Sequence, residues 1–143
     1  MTAADLDAVI AIEDAIYPHP WTRGNFADSI AAGYHCWIVE CGGDMTGYTV
    51  VAVAAGEAHL LNLSVAAPWQ RRGIGREVLN FVLKLALDYG AQKILLEVRP
   101  SNAAALALYA AGGFSEIAVR RGYYPAGERS EDAIVLEREL DKA

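Results

Sequence analysis

The stretch Leu60-Leu61-Asn62-Leu63-Ser64-Val65, followed after four residues by Gln70-Arg71-Arg72-Gly73-Ile74-Gly75-Arg76, decides the reading of this chain. Its first part is short and apolar, as a buried strand would be. Beyond the second part Val78, Leu79, Val82, Leu83 and Ala86 recur at three- and four-residue spacing, which predicts an amphipathic helix from about Gly75 to Tyr89, stopped by Gly90. A strand that turns through glycines into a helix offers a pyrophosphate the first-turn N–H groups and the positive end of the helix dipole. Gly73 and Gly75 let the backbone come close, and Arg71, Arg72 and Arg76 add guanidinium groups suited to phosphate oxygens. Two better-known nucleotide loops fail on spacing: Val78 stands where a dinucleotide fold needs its third glycine, and no Gly-Lys-Ser/Thr closes a P-loop. On spacing alone, a plain strand-to-helix turn carrying surface arginines stands level with the phosphate reading.

Bulk properties set the bounds. With 143 residues, 54% hydrophobic and 21% charged, the chain suits one domain with a sizeable core. A net charge of -6 and a pI near 5.0 argue against nucleic acid as the main partner and allow a basic peptide. No window reaches the roughly 18 apolar residues of a membrane span, and Met1-Thr2-Ala3-Ala4-Asp5 lacks the start of a signal peptide, so a cytoplasmic protein is expected. Cys36 and Cys41, with His35 beside them, supply three metal-type ligands and no fourth; packed thiols, with no metal, is the reading taken.

Outward from the central stretch, an amphipathic segment from Ala4 to Ile16 carries Leu6, Val9, Ile10 and Ile12 or Glu13 on its faces, with Asp5 to cap or charge its start. Pro18 and Pro20 break it, and a second helix is expected from Thr22 to Ala32. Strands are expected at Cys36 to Cys41, Thr46 to Ala54, Glu57 to Val65 and Lys93 to Arg99, then a helix from the N-cap Asn102 through Tyr109 to Gly112-Gly113. Two final strands, about Phe114 to Arg120 and Asp132 to Glu139, flank Gly122-Tyr123-Tyr124-Pro125-Ala126-Gly127. The order of elements indicates a mixed sheet covered by helices.

The segment from Val65 to Gly75 resembles the acetyl-CoA pyrophosphate loop of the GCN5-related N-acetyltransferases, Gln/Arg-x-x-Gly-x-Gly/Ala. Leu96-Glu97-Val98-Arg99-Pro100-Ser101-Asn102-Ala103-Ala104-Ala105, Leu108-Tyr109, Gly113-Phe114, Arg121-Gly122-Tyr123-Tyr124-Pro125 and His19-Pro20-Trp21-Thr22 are similar to the ribosomal-protein-alanine N-acetyltransferases within that superfamily. The likeness covers nearly the whole chain, in the family order. It implies a single domain over residues 1–143 with the α/β (α+β) acetyltransferase fold, a mostly antiparallel mixed sheet with splayed central parallel strands and flanking helices. Two departures stand out. The superfamily begins with a strand, which here is missing or very short and would leave a sheet edge open to weak self-association, so a monomer or weak homodimer is expected. The acidic residue common after the strand ending at Val65 is replaced by Ala66.

The resemblance also implies roles. Backbone groups of Leu63, Ser64 and Val65 would hold the pantetheine arm, with the Val65 N–H as oxyanion donor. Arg71, Arg72, Gly73, Ile74, Gly75 and Arg76 would hold the pyrophosphate, and Asn102 would contact the CoA moiety, although capping alone accounts for it equally well. Glu97 matches the general base; by residue type it is a solvent-facing position on an alternating strand, and in a semi-apolar cleft its pKa would rise toward neutrality. Tyr109 matches the general acid, where helix position alone suggests core. Trp21, Tyr123 and Tyr124 would line the peptide groove or pack a sheet edge. The implied acceptor is the N-terminal alanine of ribosomal protein eighteen of the small subunit. Its basic N-terminus would meet charge from Glu13, Asp14, Glu131 and Asp132, each of which also reads as ordinary solvated surface. An acetyltransferase for another protein N-terminus or a small amine, and a non-catalytic acyl-CoA-binding module, are the competing readings.

Overall fold

In the computed structural model, which describes residues 1–126 and 129–140, the chain opens on a 3-10 turn, Ala3–Asp5, and continues as α1 (Leu6–Ile16), α2 (Arg23–Ala31), β1 (His35–Cys41), β2 (Asp44–Ala54) and β3 (Glu57–Val65). A second 3-10 turn, Ala67–Trp69, leads into α3 (Ile74–Asp88), β4 (Lys93–Val98), α4 (Ala103–Ala111), β5 (Ser115–Ala126) and β6 (Arg129–Glu139). Gly127, the end of the aromatic loop in the sequence reading, lies outside the described residues. The six strands take the order β1-β2-β3-β4-β6-β5. β3 and β4 pair in parallel from Glu57–Lys93 to Leu60–Leu96, whereas β1–β2, β4–β6 and β5–β6 are antiparallel. Among the described residues no strand precedes α1; the Met1 ammonium donates to the Cys36 carbonyl at 2.9 Å. No helix among them is long and apolar enough to cross a membrane.

The chain forms two compact units, Met1–Ala52 with Leu61–Phe81, and Val53–Leu60 with Val82–Ala143. In the first, Leu6, Val9, Phe26, Tyr48 and Val50 make the core, with Trp21, Ile30, Cys36 and Ile38 packed against it. Helix α2 starts at a capping box: Thr22 N–H donates to Asn25 Oδ1 at 2.9 Å and Asn25 N–H to Thr22 Oγ1 at 3.2 Å. Asp5 does not cap α1 with its side chain; it accepts the Thr2 N–H at 2.7 Å and closes the 3-10 turn before it. Cys36 is half-buried and Cys41 exposed, so the expected packing of both thiols holds only for the first.

In the second unit Ile94, Leu96 and Val98 of β4 turn inward, which puts Leu95 and Glu97 on the opposite face. Asn102 caps α4 by accepting the Ala105 N–H at 3.2 Å. β5 runs to Ala126 rather than stopping near Arg120, because Tyr124, Pro125 and Ala126 pair with Glu131, Ser130 and Arg129 beyond an irregularity between Arg120 and Tyr124.

Candidate active site

Strand alternation sorts the donor segment. Along β3 the side chains of Asn62 and Ser64 are buried, while Leu63 and Val65 are half-exposed. The Val65 carbonyl accepts from the Gln70 side-chain amide at 2.9 Å, and the Ala66 N–H donates to the Thr46 carbonyl at 2.8 Å, which fixes the exit from the strand. The loop that follows is held in unusual backbone geometry: Arg71 has φ 63° and Gly73 φ 81°, the left-handed region that a side chain resists. Arg72 lies over the Trp69 ring at 5.1 Å. Helix α3 then begins at Ile74, which is buried, while Arg71, Arg72 and Arg76 are exposed. Glycine backbone, a helix N-terminus and three outward cations thus share one loop, an arrangement able to receive phosphates.

Beneath that segment lies a polar cluster that the sequence reading did not anticipate. Glu13, expected at the surface, is only 2% exposed. Its Oε1 accepts the Tyr48 hydroxyl at 2.7 Å and the Asn62 amide at 3.4 Å, and its Oε2 accepts the Trp21 N–H at 2.9 Å. Ser64 Oγ donates to Asn62 Oδ1 at 2.7 Å and shares a 2.7 Å hydrogen bond with Tyr17, whose hydroxyl also reaches the Leu63 carbonyl at 3.3 Å. Burial raises the Glu13 pKa above its ordinary value, against the lowering pull of its three donors. The Tyr48 phenol is pushed up by burial and by the carboxylate facing it, so it stays protonated and donates. The sequence did carry a trace of this: Leu6, Val9 and Glu13 lie on one helical stripe, the buried face of α1.

The second unit holds the other predicted residues. Glu97 Oε1 accepts from Arg120 at 2.7 Å, and that guanidinium lies 3.9 Å over the Tyr123 ring. The expected semi-apolar cleft is therefore an ion pair with an aromatic wall. Glu97 in turn holds Arg120 more firmly protonated. Tyr124, beside Tyr123 at 5.0 Å, has its phenol pushed up to about 12, first by burial and then by Glu97. Arg99 stacks on Tyr124 at 4.4 Å and pairs with Glu131 at 3.3 Å. Glu131 also accepts the Ser101 N–H and hydroxyl, and Asp132 accepts the Gly122 N–H. Of the four acidic residues offered as complementary surface charge, Asp14 is the exposed one; the others hold structure. Tyr109 is buried in α4 with its ring 5.5 Å from Phe114. Among the described residues no group of three His, Cys, Asp or Glu side chains is placed to hold a metal.

Residues 6–114 match the profile of the Acetyltransferase (GNAT) family. The chain belongs to that family. It is 36% identical over 136 residues to the [ribosomal protein bS18]-alanine N-acetyltransferase of Escherichia coli K12, spanning 95% of this chain and 92% of the relative. Against the crystal structure of the Escherichia coli ribosomal-protein-S18-alanine N-acetyltransferase the TM-score is 0.90 at 35% identity, covering 100% of this chain and 92% of that one. A GNAT family acetyltransferase from Elizabethkingia anophelis with acetyl-CoA bound shares the fold at TM-score 0.71 and 21% identity, over 81% of this chain and 82% of its own. The GNAT fold anticipated from the glycine loop is thus established, and with it an acetyltransferase. The mixed sheet and flanking helices are those of the family.

Proposed function

We propose that this GNAT protein is a cytoplasmic enzyme that transfers acetyl from acetyl-CoA to the α-amine of the N-terminal alanine of ribosomal protein bS18, with residues 1–143 acting as one domain. The observation that carries the reading is the 36% identity, over 95% of the chain, to an enzyme named for that reaction. In this reading the pyrophosphate sits on Gly73, Ile74 and Gly75, with Arg71, Arg72 and Arg76 around it. The pantetheine arm lies along Leu63, Ser64 and Val65, and Asn102 touches the CoA moiety.

The chemistry is direct attack. The amine nitrogen adds to the thioester carbon, its proton passing to Glu97 directly or through water. The carbonyl electrons move onto oxygen, where the Val65 N–H stabilises the oxyanion. The oxyanion then collapses, the C–S bond breaks, and the thiolate takes a proton from Tyr109. Arg120 occupies one oxygen of Glu97, so the other is the one offered to the amine. An α-amine with a pKa of about 7.7 to 8.0 is roughly 10 to 20% neutral at pH 7, against under about 0.1% for a lysine, a difference of about 3.5 kcal/mol. A carboxylate base therefore suits an N-terminal amine. Trp21, Tyr123 and Tyr124 line the acceptor groove.

The test is to incubate the protein with acetyl-CoA and a hexapeptide carrying the first residues of bS18, following CoA release and peptide mass, with Glu97→Gln and Tyr109→Phe in parallel. α-Acetylation that collapses in both variants is the expected result. Acetyl-CoA binding without product would sink the acceptor assignment.

A further inference from the structure

Glu13 is a buried carboxylate that the proposed reaction leaves unused. It is one of the largest fully buried side chains, yet its partners are neutral: a phenol, an amide and a backbone N–H. Burying a carboxylate among neutral donors is costly, and an apolar residue would fill the same space at less expense. What the carboxylate does that an apolar residue cannot is tie the segment between α1 and α2 to two strands of the sheet.

The grip closes on itself. Glu13 Oε2 holds the Trp21 backbone and Oε1 holds the Tyr48 hydroxyl. The Tyr48 ring meets Phe26 edge-on at 5.7 Å, and Phe26 meets the Trp21 ring at 5.0 Å. Trp21 is thereby fixed twice, by its main chain through Glu13 and by its indole through Phe26, and both routes end on Tyr48 of β2. Asn62, bonded to Glu13 on one side and to Ser64 on the other, extends the anchor to β3. Trp21 itself remains half-exposed.

We propose that Glu13 is a positioning residue for the acceptor peptide: it sets Trp21 as a fixed wall of the groove that receives the peptide N-terminus. This rests on the proposed function, in which Trp21 lines that groove. Ser64 also bonds Tyr17 independently of Glu13, so β3 on the donor side retains an anchor when Glu13 changes.

The experiment compares Glu13→Gln, Trp21→Ala and the double variant. Gln keeps the volume but turns an N–H donor toward either Trp21 or the Tyr48–Asn62 pair. The KM for the bS18 peptide should rise about tenfold in Glu13→Gln, the scale of one lost hydrogen bond, with kcat within about threefold and the KM for acetyl-CoA within about twofold. In the Trp21→Ala background Glu13→Gln should add nothing to the peptide KM, because its route to the peptide is gone. Additive effects, or equal rises in both KM values, would overturn the proposal and leave Glu13 a purely structural residue.

A second readout needs no activity. With Trp37 and Trp69 changed to Phe, Glu13→Gln should raise acrylamide quenching of Trp21; unchanged quenching overturns the proposal. Should the Gln variant not fold, Glu13→Asp, whose shorter stem withdraws from Trp21, is read in the same cycle. A wild-type protein inactive on the peptide would count against the acceptor assignment alone, and the quenching result would still decide the role of Glu13.

Discussion

Removing the Tyr48 hydroxyl tests how the buried carboxylate is held. Tyr48→Phe keeps the ring and its contact with Phe26, and it deletes one 2.7 Å bond to Glu13 Oε1. The remaining donor to that oxygen is the Asn62 amide at 3.4 Å, too long to make good the loss. Tyr48 is 0% exposed, so water cannot step in without opening the core. A hydrogen bond to a buried charged group contributes about 1.5 to 3 kcal/mol, and for a chain of this size about 2 kcal/mol lowers Tm by roughly 6 to 10 °C.

The cost should depend on pH in a set direction. Glu13 titrates above its ordinary value of 4.5 because burial disfavours the charge, and the groups facing it are Tyr48, Asn62 and the Trp21 N–H, with Asp14 adding repulsion. A group whose folded pKa is raised adds its stability fully below the unfolded pKa and loses it as pH rises through the folded one. Losing a donor raises the folded pKa further, so the penalty of Tyr48→Phe should be smallest near pH 4.5 and largest at neutral pH. Urea unfolding of both proteins across that range, followed by tryptophan fluorescence, measures it. A neutral-pH penalty under about 0.5 kcal/mol, or one that grows toward acid, would refute the view that an ionised Glu13 leans on this phenol.

Gly47→Ala would put a Cβ 2.5 Å from the Ser64 carbonyl oxygen, forcing β2 and β3 apart; a urea-melt loss of about 2 kcal/mol and a raised acetyl-CoA KM are expected, and a silent substitution would contradict the close approach. Asn102→Ala should cost about 1 kcal/mol through the lost cap, and the acetyl-CoA KM decides between its two roles: a rise means it touches CoA, no change means it only caps α4. Ser101 and Arg99 hold the Glu131 carboxyl below its ordinary 4.5, so its stabilisation is present above that value and lost as pH falls; Glu131→Gln should narrow the gap to wild type in acid and show it in full at neutral pH.

Local grammar made much of the fold legible. β3 occupies the 57–65 span expected from its apolar run, and α3 begins one residue from its expected start, because periodicity and glycine stops are written in consecutive residues. The extension of β5 past Arg120 is not legible in the sequence because it depends on pairing with β6 through residues not adjacent in the chain. Distance in sequence hid the candidate site's electrostatics for the same reason. Glu97 and Arg120 stand on β4 and β5 with β6 between them in the strand order, and no spacing rule brings such residues together. Residue type alone puts Glu13 at the surface, since glutamates are seldom buried, although its helical stripe points inward.

The polar interior also does something the apolar pattern cannot. Alternation in β3 turns Ala58, Leu60, Asn62 and Ser64 inward, and a slip of two residues along the strand would preserve that alternation. It would not preserve the polar partners. After such a slip the Asn62 amide and Ser64 hydroxyl would no longer meet Glu13 and Tyr17, Thr49 would lose the Asn62 carbonyl that it reaches at 2.8 Å, and a carboxylate buried in the core would be short of a donor. Each such loss costs about 1 to 3 kcal/mol, and it adds to the cost of moving Leu60 out of its apolar place. Burying a charge and several hydroxyls is therefore a poor way to add stability and a strong way to fix one register. In the proposed reaction that register sets which backbone groups of Leu63, Ser64 and Val65 face the acetyl donor, so the cluster beneath the strand and the chemistry above it are tied to the same choice of alignment.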